Sequence, residues 1–166
     1  MSYLTTIELA KEDMKFASGH YTIFSPTHRE KLHGHNFRVH AALTATTDDL
    51  GMAFDYGIYK KKLRSLCRSL SEYFLIAGAS PYQTIHEDGD HTYIHFNNEK
   101  IPFLTKDILI LPLKNITVEE LAKWFVTQLV NDEESLNSYR ICAIEIKVYS
   151  GPGQSGSYSW TNNQET

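Results

Sequence analysis

The 166-residue chain has only two cysteines, Cys67 and Cys142. They lie far apart, one at a core position of a predicted helix and one in a predicted strand. Buried free thiols are expected there rather than a disulfide or a nucleophile. No run of about eighteen apolar residues occurs, which excludes a membrane-spanning helix and a membrane partner. The opening Met1-Ser2-Tyr3-Leu4-Thr5-Thr6-Ile7 lacks a basic leader followed by an apolar core, so no secretory signal is expected. Basic residues are not in excess: 16 Lys and Arg stand against 20 Asp and Glu, a net charge of −4. That balance argues against non-specific nucleic-acid binding, which needs a basic face. Lys60, Lys61 and Lys62 with Arg64 form one basic cluster, on a predicted helix, and read as a solvated face. These absences point to a cytoplasmic, reducing home.

What is present is the composition of a globular chain: 42% hydrophobic, 22% charged and 12% aromatic. Residues 1–166 suit one domain with a sizeable core. Met14 to Phe24 reads as a strand. His35 to Thr46 alternates, with Phe37, Val39, Ala41 and Leu43 on one face and Asn36, Arg38 and His40 on the other. Asp55 can cap a helix running to about Tyr73, with Ile58, Leu63, Leu66, Cys67, Leu70 and Phe74 as its apolar stripe. Thr117-Val118-Glu119-Glu120 has the form of a capping box, with Ile116 and Leu121 as its hydrophobic staple, opening a helix to about Val130. Arg140 to Tyr149 alternates imperfectly as a last strand. Residues 80–113 lack helical period and suggest a hairpin insertion or small added strands. The Gly/Ser-rich tail after Gly151, and residues 159–166 above all, is expected to be flexible. The order predicts an α+β domain with helices against one sheet face. Its other face needs cover, for which a partner subunit is the obvious source.

His33-Gly34-His35 is the chemical signal, with His20 upstream on the neighbouring predicted strand. Residues i and i+2 of a strand point to one side, so the two imidazoles project together. Gly34 between them permits close approach of another backbone. Three imidazoles and one open position is the ligand pattern of a catalytic zinc site. Three unrelated histidines on a polar face is the alternative. His28 lies in a turn, and His40 alternates away as a surface residue. His91 and His95, with His86 nearby, fall on the insertion, where a solvated hairpin is the simpler reading than a second metal site.

Four motifs then carry a resemblance: Phe16-Ala17-Ser18-Gly19-His20, Leu32-His33-Gly34-His35-Asn36-Phe37, Gly51-Met52-Ala53-Phe54-Asp55-Tyr56 and Asn115-Ile116-Thr117-Val118-Glu119-Glu120-Leu121-Ala122. In that order the chain resembles the 6-pyruvoyl-tetrahydropterin synthase and 6-carboxytetrahydropterin synthase family. The resemblance implies the tunnelling fold (T-fold), a four-stranded antiparallel sheet with two helices on one side. It implies subunits joined edge to edge as trimers or hexamers, and zinc on His20, His33 and His35. It also implies lyase activity on dihydroneopterin triphosphate or a related pterin.

The family's other machinery is altered. Its cysteine position holds Arg29, and its Leu-Asp-His step is matched by Leu70-Ser71-Glu72. Ser150 stands where the family anchors the pterin on a glutamate, and a serine offers no charged bidentate acceptor. A branch of the family uses a Glu-x-x-His-Gly-His arrangement, which Glu30 supplies here. A carboxylate there suits a general base; a solvated loop glutamate is the alternative. Glu72 is a weaker candidate near the same pocket, or simply a helix end. A pterin lyase with altered chemistry therefore stands against a non-catalytic zinc-holding homologue that binds a pterin-like or purine-like ligand, and against a metal enzyme acting on another substrate.

Overall fold

The longest strand runs from His33 to Thr46, and the main sheet is built on it. The computed structural model describes residues 1–162. In chain order the elements are β1 (Leu4–Leu9), β2 (Lys15–His20), β3 (Ile23–Ser25), β4 (His28–Arg29), β5 (His33–Thr46), α1 (Gly57–Leu70) and β6 (Phe74–Ala77). There follow β7 (Gln83–Asp88), β8 (His91–Phe96), β9 (Glu99–Leu104), β10 (Ile108–Leu111), α2 (Val118–Val130), α3 (Glu133–Ser138), β11 (Ile141–Gly151) and β12 (Gln154–Thr161).

Along one edge of β5, β2 pairs with the first half and β1 with the second, both antiparallel. The two behave as one long strand broken at residues 10–14. On the other edge lie β11 and then β12. This is the expected four-stranded antiparallel layer, and the α+β T-fold class holds. The sheet is larger than expected, however: β6 and β10 extend it in parallel beyond β2, giving seven strands. β1 was not legible as a strand.

The core fills one sheet face. Phe37, Val39, Ala41, Leu43 and Ala45 of β5 meet Tyr59, Leu63, Cys67 and Leu70 of α1, and Leu121, Phe125 and Leu129 of α2, all buried in one cluster. Spacings of three and four place each helical set on a single stripe. Helix α1 is shorter than predicted at both ends. The Asp55 carboxylate accepts the Gly57 N–H (2.8 Å), and Leu70 is its last helical residue. Its basic cluster is less solvated than expected, since Lys62 pairs with Asp132 and Arg64 with Asp13. The Thr117 hydroxyl accepts the Glu120 N–H (3.3 Å), as a capping box requires. The Glu120 carboxylate instead accepts the Lys114 N–H (3.3 Å), so only half the box forms. Ile116 and Leu121 are both buried in the core.

Imperfect alternation near the C-terminus has a local cause. The register of β11 on β5 shifts between Ile141 and Ala143, a bulge that changes phase so that Ile144, Ile146 and Val148 face the core. Two expectations can be set against the structure. Over residues 80–113 the alternative of small added strands describes the chain better than a hairpin alone: β7, β8 and β9 form a three-stranded sheet, while β10 joins the main sheet. Ile94, Phe96 and Ile101 of that small sheet bury a second apolar cluster against Tyr21, Ile23, Ile76 and Ile108, which holds the insertion down. The tail after Gly151 is ordered as β12, paired along β11 from Gln154 to Thr161. Of the segment expected to be flexible, residues 163–166 lie outside the described part. Both cysteines are free, Cys67 buried and Cys142 half-buried. No helix of the described residues is long and apolar enough to cross a membrane.

Gly156 makes β12 structural rather than ornamental. A Cβ there would stand 2.7 Å from the Glu119 nitrogen and 2.9 Å from the Val118 carbonyl carbon, so the strand lies directly on the first turn of α2. Gly156→Ala is expected to cost about 1–3 kcal/mol of overpacking. Gly151→Ala, with nothing within 4 Å of its Cβ, is expected to stay within about 0.5 kcal/mol. Urea unfolding of the two variants measures the difference; equal stabilities would mean that β12 does not pack on α2 in solution.

Candidate metal centre

Register creates the site. In the β2–β5 ladder His20 lies opposite His33, Ser18 opposite His35 and Phe16 opposite Phe37. Opposed residues point to the same side, so the apolar row ends in histidines. The Phe16 and Phe37 rings stack at 4.9 Å, and the His20 and His35 rings each meet Phe37 edge-on at 5.5 Å. Between the histidine rows, Gly19 faces Gly34. A Cβ on Gly34 would meet the Ser18 carbonyl oxygen at 3.1 Å, and one on Gly19 would enter the Phe74 ring. The strands approach so closely because neither position carries a side chain.

One ligand atom from each of His20, His33 and His35 lies within 4.8 Å of the others. Two tautomers are set by backbone acceptors. The His20 Nδ1 bonds the Ile116 carbonyl (2.8 Å), and the His33 Nδ1 bonds the Lys31 carbonyl (2.8 Å). A carbonyl only accepts, so each Nδ1 carries the proton and each Nε2 keeps its lone pair. The Nε2 atoms of His33 and His35 are 3.2 Å apart. His20 is 5% exposed, and its Nε2 is buried without a partner. An orphaned buried acceptor beside two more imidazole nitrogens fits a divalent metal of the zinc type, with room for an exogenous ligand. Burial pushes the His20 imidazole below 6.5, aided by His33 and His35 and opposed by the Ile116 carbonyl. Burial, with His33, also lowers His35. Both shifts favour the neutral, ligating form.

Among the described residues Glu30 is the carboxylate brought to the histidines: its Oε2 lies 3.8 Å from His33 Nε2. The same oxygen accepts the Thr22 N–H (2.9 Å), and the Glu30 N–H donates to the Thr22 carbonyl (2.8 Å). Burial alone would raise its pKa, but the Thr22 hydrogen bonds and the neighbouring His33 and His20 together hold the carboxyl below its ordinary range. Glu72 follows the end of α1 in the left-handed region (φ 68°), its N–H on the Ala17 carbonyl (2.7 Å). It lines an open hollow of about 490 Å³ with His35, Asn36 and Phe74. Ser150 lines a second hollow, about 540 Å³, with His35, Asn36, Arg38, His40 and Tyr149. Its hydroxyl accepts from Gln154 (2.7 Å). His40, expected at the surface, is half-buried against the Tyr149 ring at 4.7 Å. His28 is exposed beside Phe24. Among the described residues His86, His91 and His95 form no metal-holding group, and His91 pairs with Asp90 (2.7 Å).

Several supporting residues left no readable signal. Asn115 grips Ile23 twice: its Oδ1 accepts the Ile23 N–H (3.1 Å) and its Nδ2 donates to the Ile23 carbonyl (2.8 Å). It thereby fixes the segment before α2 whose Ile116 carbonyl orients His20. The Ser18 hydroxyl donates to the Leu70 carbonyl (2.7 Å), tying β2 to the end of α1. Such roles depend on which carbonyl arrives opposite, which only the folded chain decides.

Comparison with known proteins agrees with this architecture. The family model described as 6-pyruvoyl tetrahydropterin synthase matches residues 8–160. A Methanocaldococcus jannaschii protein, provisionally named a 6-carboxy-5,6,7,8-tetrahydropterin synthase, is 27% identical over 147 residues, covering 87% of this chain and 89% of that one. The 6-pyruvoyl tetrahydropterin synthase structure of Plasmodium falciparum superposes with a TM-score of 0.90 at 25% identity, over 96% of this chain and 99% of the other. That of Plasmodium vivax gives 0.91 at 25% identity with the same coverage. Two further structures of the P. vivax protein carry substitutions of a glutamate described as a catalytic residue. With the family model spanning nearly the whole chain, this protein belongs to the 6-pyruvoyl tetrahydropterin synthase family.

Proposed function

We propose that the protein is a zinc-dependent lyase acting on dihydroneopterin triphosphate or a related pterin, with Glu30 as its proton-transfer residue. The observation that carries this reading is the buried, unpartnered Nε2 of His20 facing the nitrogens of His33 and His35. These three residues would hold the ion. Zinc bound there would act as a Lewis acid on side-chain hydroxyls of the substrate. Glu30, kept ionised by its Thr22 hydrogen bonds and the neighbouring histidines, takes the proton released as that side chain rearranges. The catalytic glutamate of the P. vivax protein supports a carboxylate in this role. Glu72 and Ser150 border the adjoining hollows and would meet parts of the substrate remote from the ion. Their placement fits a binding contribution better than a second acid.

Assembly belongs to the same reading. The sheet ends at β10 and β12, and β1, paired with β5 beside the main path, offers a further edge. Joined edge to edge between copies, they would close it into the trimers or hexamers that the T-fold implies. The free cysteines suit the cytoplasm. A second reading, a zinc-holding homologue without lyase activity, draws on Arg29 and on Ser71-Glu72, which replace the family's cysteine and Asp-His step.

Metal analysis of the purified protein is expected to give zinc in the wild type and a loss of most of it in His33→Ala. Unchanged content would refute the ligand set. Incubation of the zinc-loaded protein with dihydroneopterin triphosphate is expected to yield a cleaved pterin by chromatography. Glu30→Gln should keep the zinc and lower kcat about 10²-fold or more, the scale of general-base catalysis. Retained zinc with neither product nor pterin binding would favour the non-catalytic homologue.

Acid should weaken the metal-free protein. The folded-state pKa values of His20 and His35 lie below 6.5, so between those values and 6.5 the unfolded chain binds more protons than the folded one. Their contribution is complete above pH 6.5 and is lost as pH falls through the lowered values. The Tm of the metal-free protein should therefore fall as pH drops below about 6.5 and through the lowered values, and bound zinc should delay the fall. A flat profile would count against buried neutral imidazoles.

A further inference from the structure

Arg29 stands where relatives carry a cysteine, and it reaches away from the histidines. Its Nε (2.8 Å) and Nη2 (2.5 Å) both donate to one carboxylate oxygen of Glu99, the first residue of β9. Its Nη1 donates to the Glu30 carbonyl (2.8 Å). The guanidinium lies 5.3 Å from the Tyr21 ring centre and 5.9 Å from that of Phe96 on β8. Tyr21 in turn donates to the Gln83 side chain (2.7 Å) at the start of β7, and Gln83 donates to the Ala77 carbonyl (2.8 Å). The segment from His20 to His33 is thus clamped to the insertion sheet at both ends. An exposed ion pair contributes little, but the Arg29 side chain is only 16% exposed and packs between two rings. A guanidinium that bridges a carboxylate and a carbonyl while stacking on aromatics has no lysine equivalent.

We propose that Arg29 is a positioning residue for Glu30, held from the insertion by Glu99, so that the β7–β9 sheet is part of the active site although it supplies no metal ligand. Every backbone and side-chain polar group of Glu30 is then engaged: N–H and carboxylate by Thr22, carbonyl by Arg29. Among the described residues no other side chain donates to that carbonyl. The proposal rests on the reading of the histidines as metal ligands and of Glu30 as the base.

The test compares Arg29→Lys and Glu99→Gln, each alone and in a Glu30→Gln background. It follows zinc content, the visible spectrum of the cobalt(II)-substituted protein, and kcat and KM on dihydroneopterin triphosphate. Both single variants should keep their metal, shift the cobalt spectrum and lose about tenfold or more in kcat with KM little changed, the scale for residues that orient a metal site from outside. In the Glu30→Gln background neither should have a further effect, because the group they position is gone. An equal loss in both backgrounds, or no loss in either, overturns the proposal. Should the wild type take up no metal or show no turnover, the functional reading fails and deuterium exchange judges the clamp alone. Faster exchange over residues 21–33 in both variants, with β11 unaffected, supports it; unchanged protection of that segment overturns it.

Discussion

The pairing of β2 with β5 is the constraint on which the rest depends. Because opposed residues share a face, one register sets both the stacked Phe16–Phe37 pair in the core and the His20–His33 pair beyond it. A slip of one residue would turn Phe16 and His20 to the other face together. The centre therefore needs no separate device to converge. It inherits its geometry from apolar packing, which is stiff, dense and costly to rearrange. Gly34 matters for the same reason, since a Cβ there would press on the Ser18 carbonyl of the facing strand, while a Cβ on Gly19 would enter the Phe74 ring of β6.

Burial gives the site its chemical state as well as its shape. His20 is withdrawn from water among Phe37 and the other imidazoles, and this disfavours a protonated ring. Its Nδ1–H is satisfied by Ile116, so the whole cost of burial falls on the unpaired Nε2, about 1–3 kcal/mol for an unsatisfied polar atom. A metal held there would satisfy that atom. The folded chain carries a small penalty at the place where such a ligand would remove it, which would link metal affinity to stability. Glu30 has the opposite balance. Burial would neutralise it, yet the hydrogen bonds from Thr22 and the nearby rings hold its pKa down, while burial lowers those of His20 and His35. The two groups differ in charge state because one is surrounded by rings and the other by donors.

Much of this was legible in the chain. The His-x-His step at strand spacing, the alternation through β5 and the Thr117 cap are local patterns, and local patterns survive folding. What was hidden depended on distant partners. β12 reads as a loose Gly/Ser tail because its stability comes from β11 and from α2 pressing on Gly156. β1 is half exposed and short, with no apolar run, and becomes a strand only because the second half of β5 offers it an edge. The phase change in β11 blurs its alternation through one bulge. At the site, the three clustered histidines and Glu30 could be named from sequence. The Ile116 carbonyl, the Asn115 grip and the Arg29–Glu99 bridge could not, since each joins segments remote in the chain.

An arginine at the position where the resemblance implies a cysteine need not mean a vacated site. A cysteine acts at its own position, whereas a long guanidinium can act at its neighbour's. Here the side chain turns from the histidines toward the insertion sheet, and the charge facing the imidazoles belongs to Glu30, one residue on. With Glu30 as the reactive group, a shift of one position in the loop would change which atom of a substrate it meets without disturbing the histidines, because those are fixed by the sheet. The insertion then has a physical reason to lie where it does. A base on a loop needs stiffening that a strand residue gets from its ladder, and the second apolar cluster under β7–β9 supplies a rigid body for that loop to lean on.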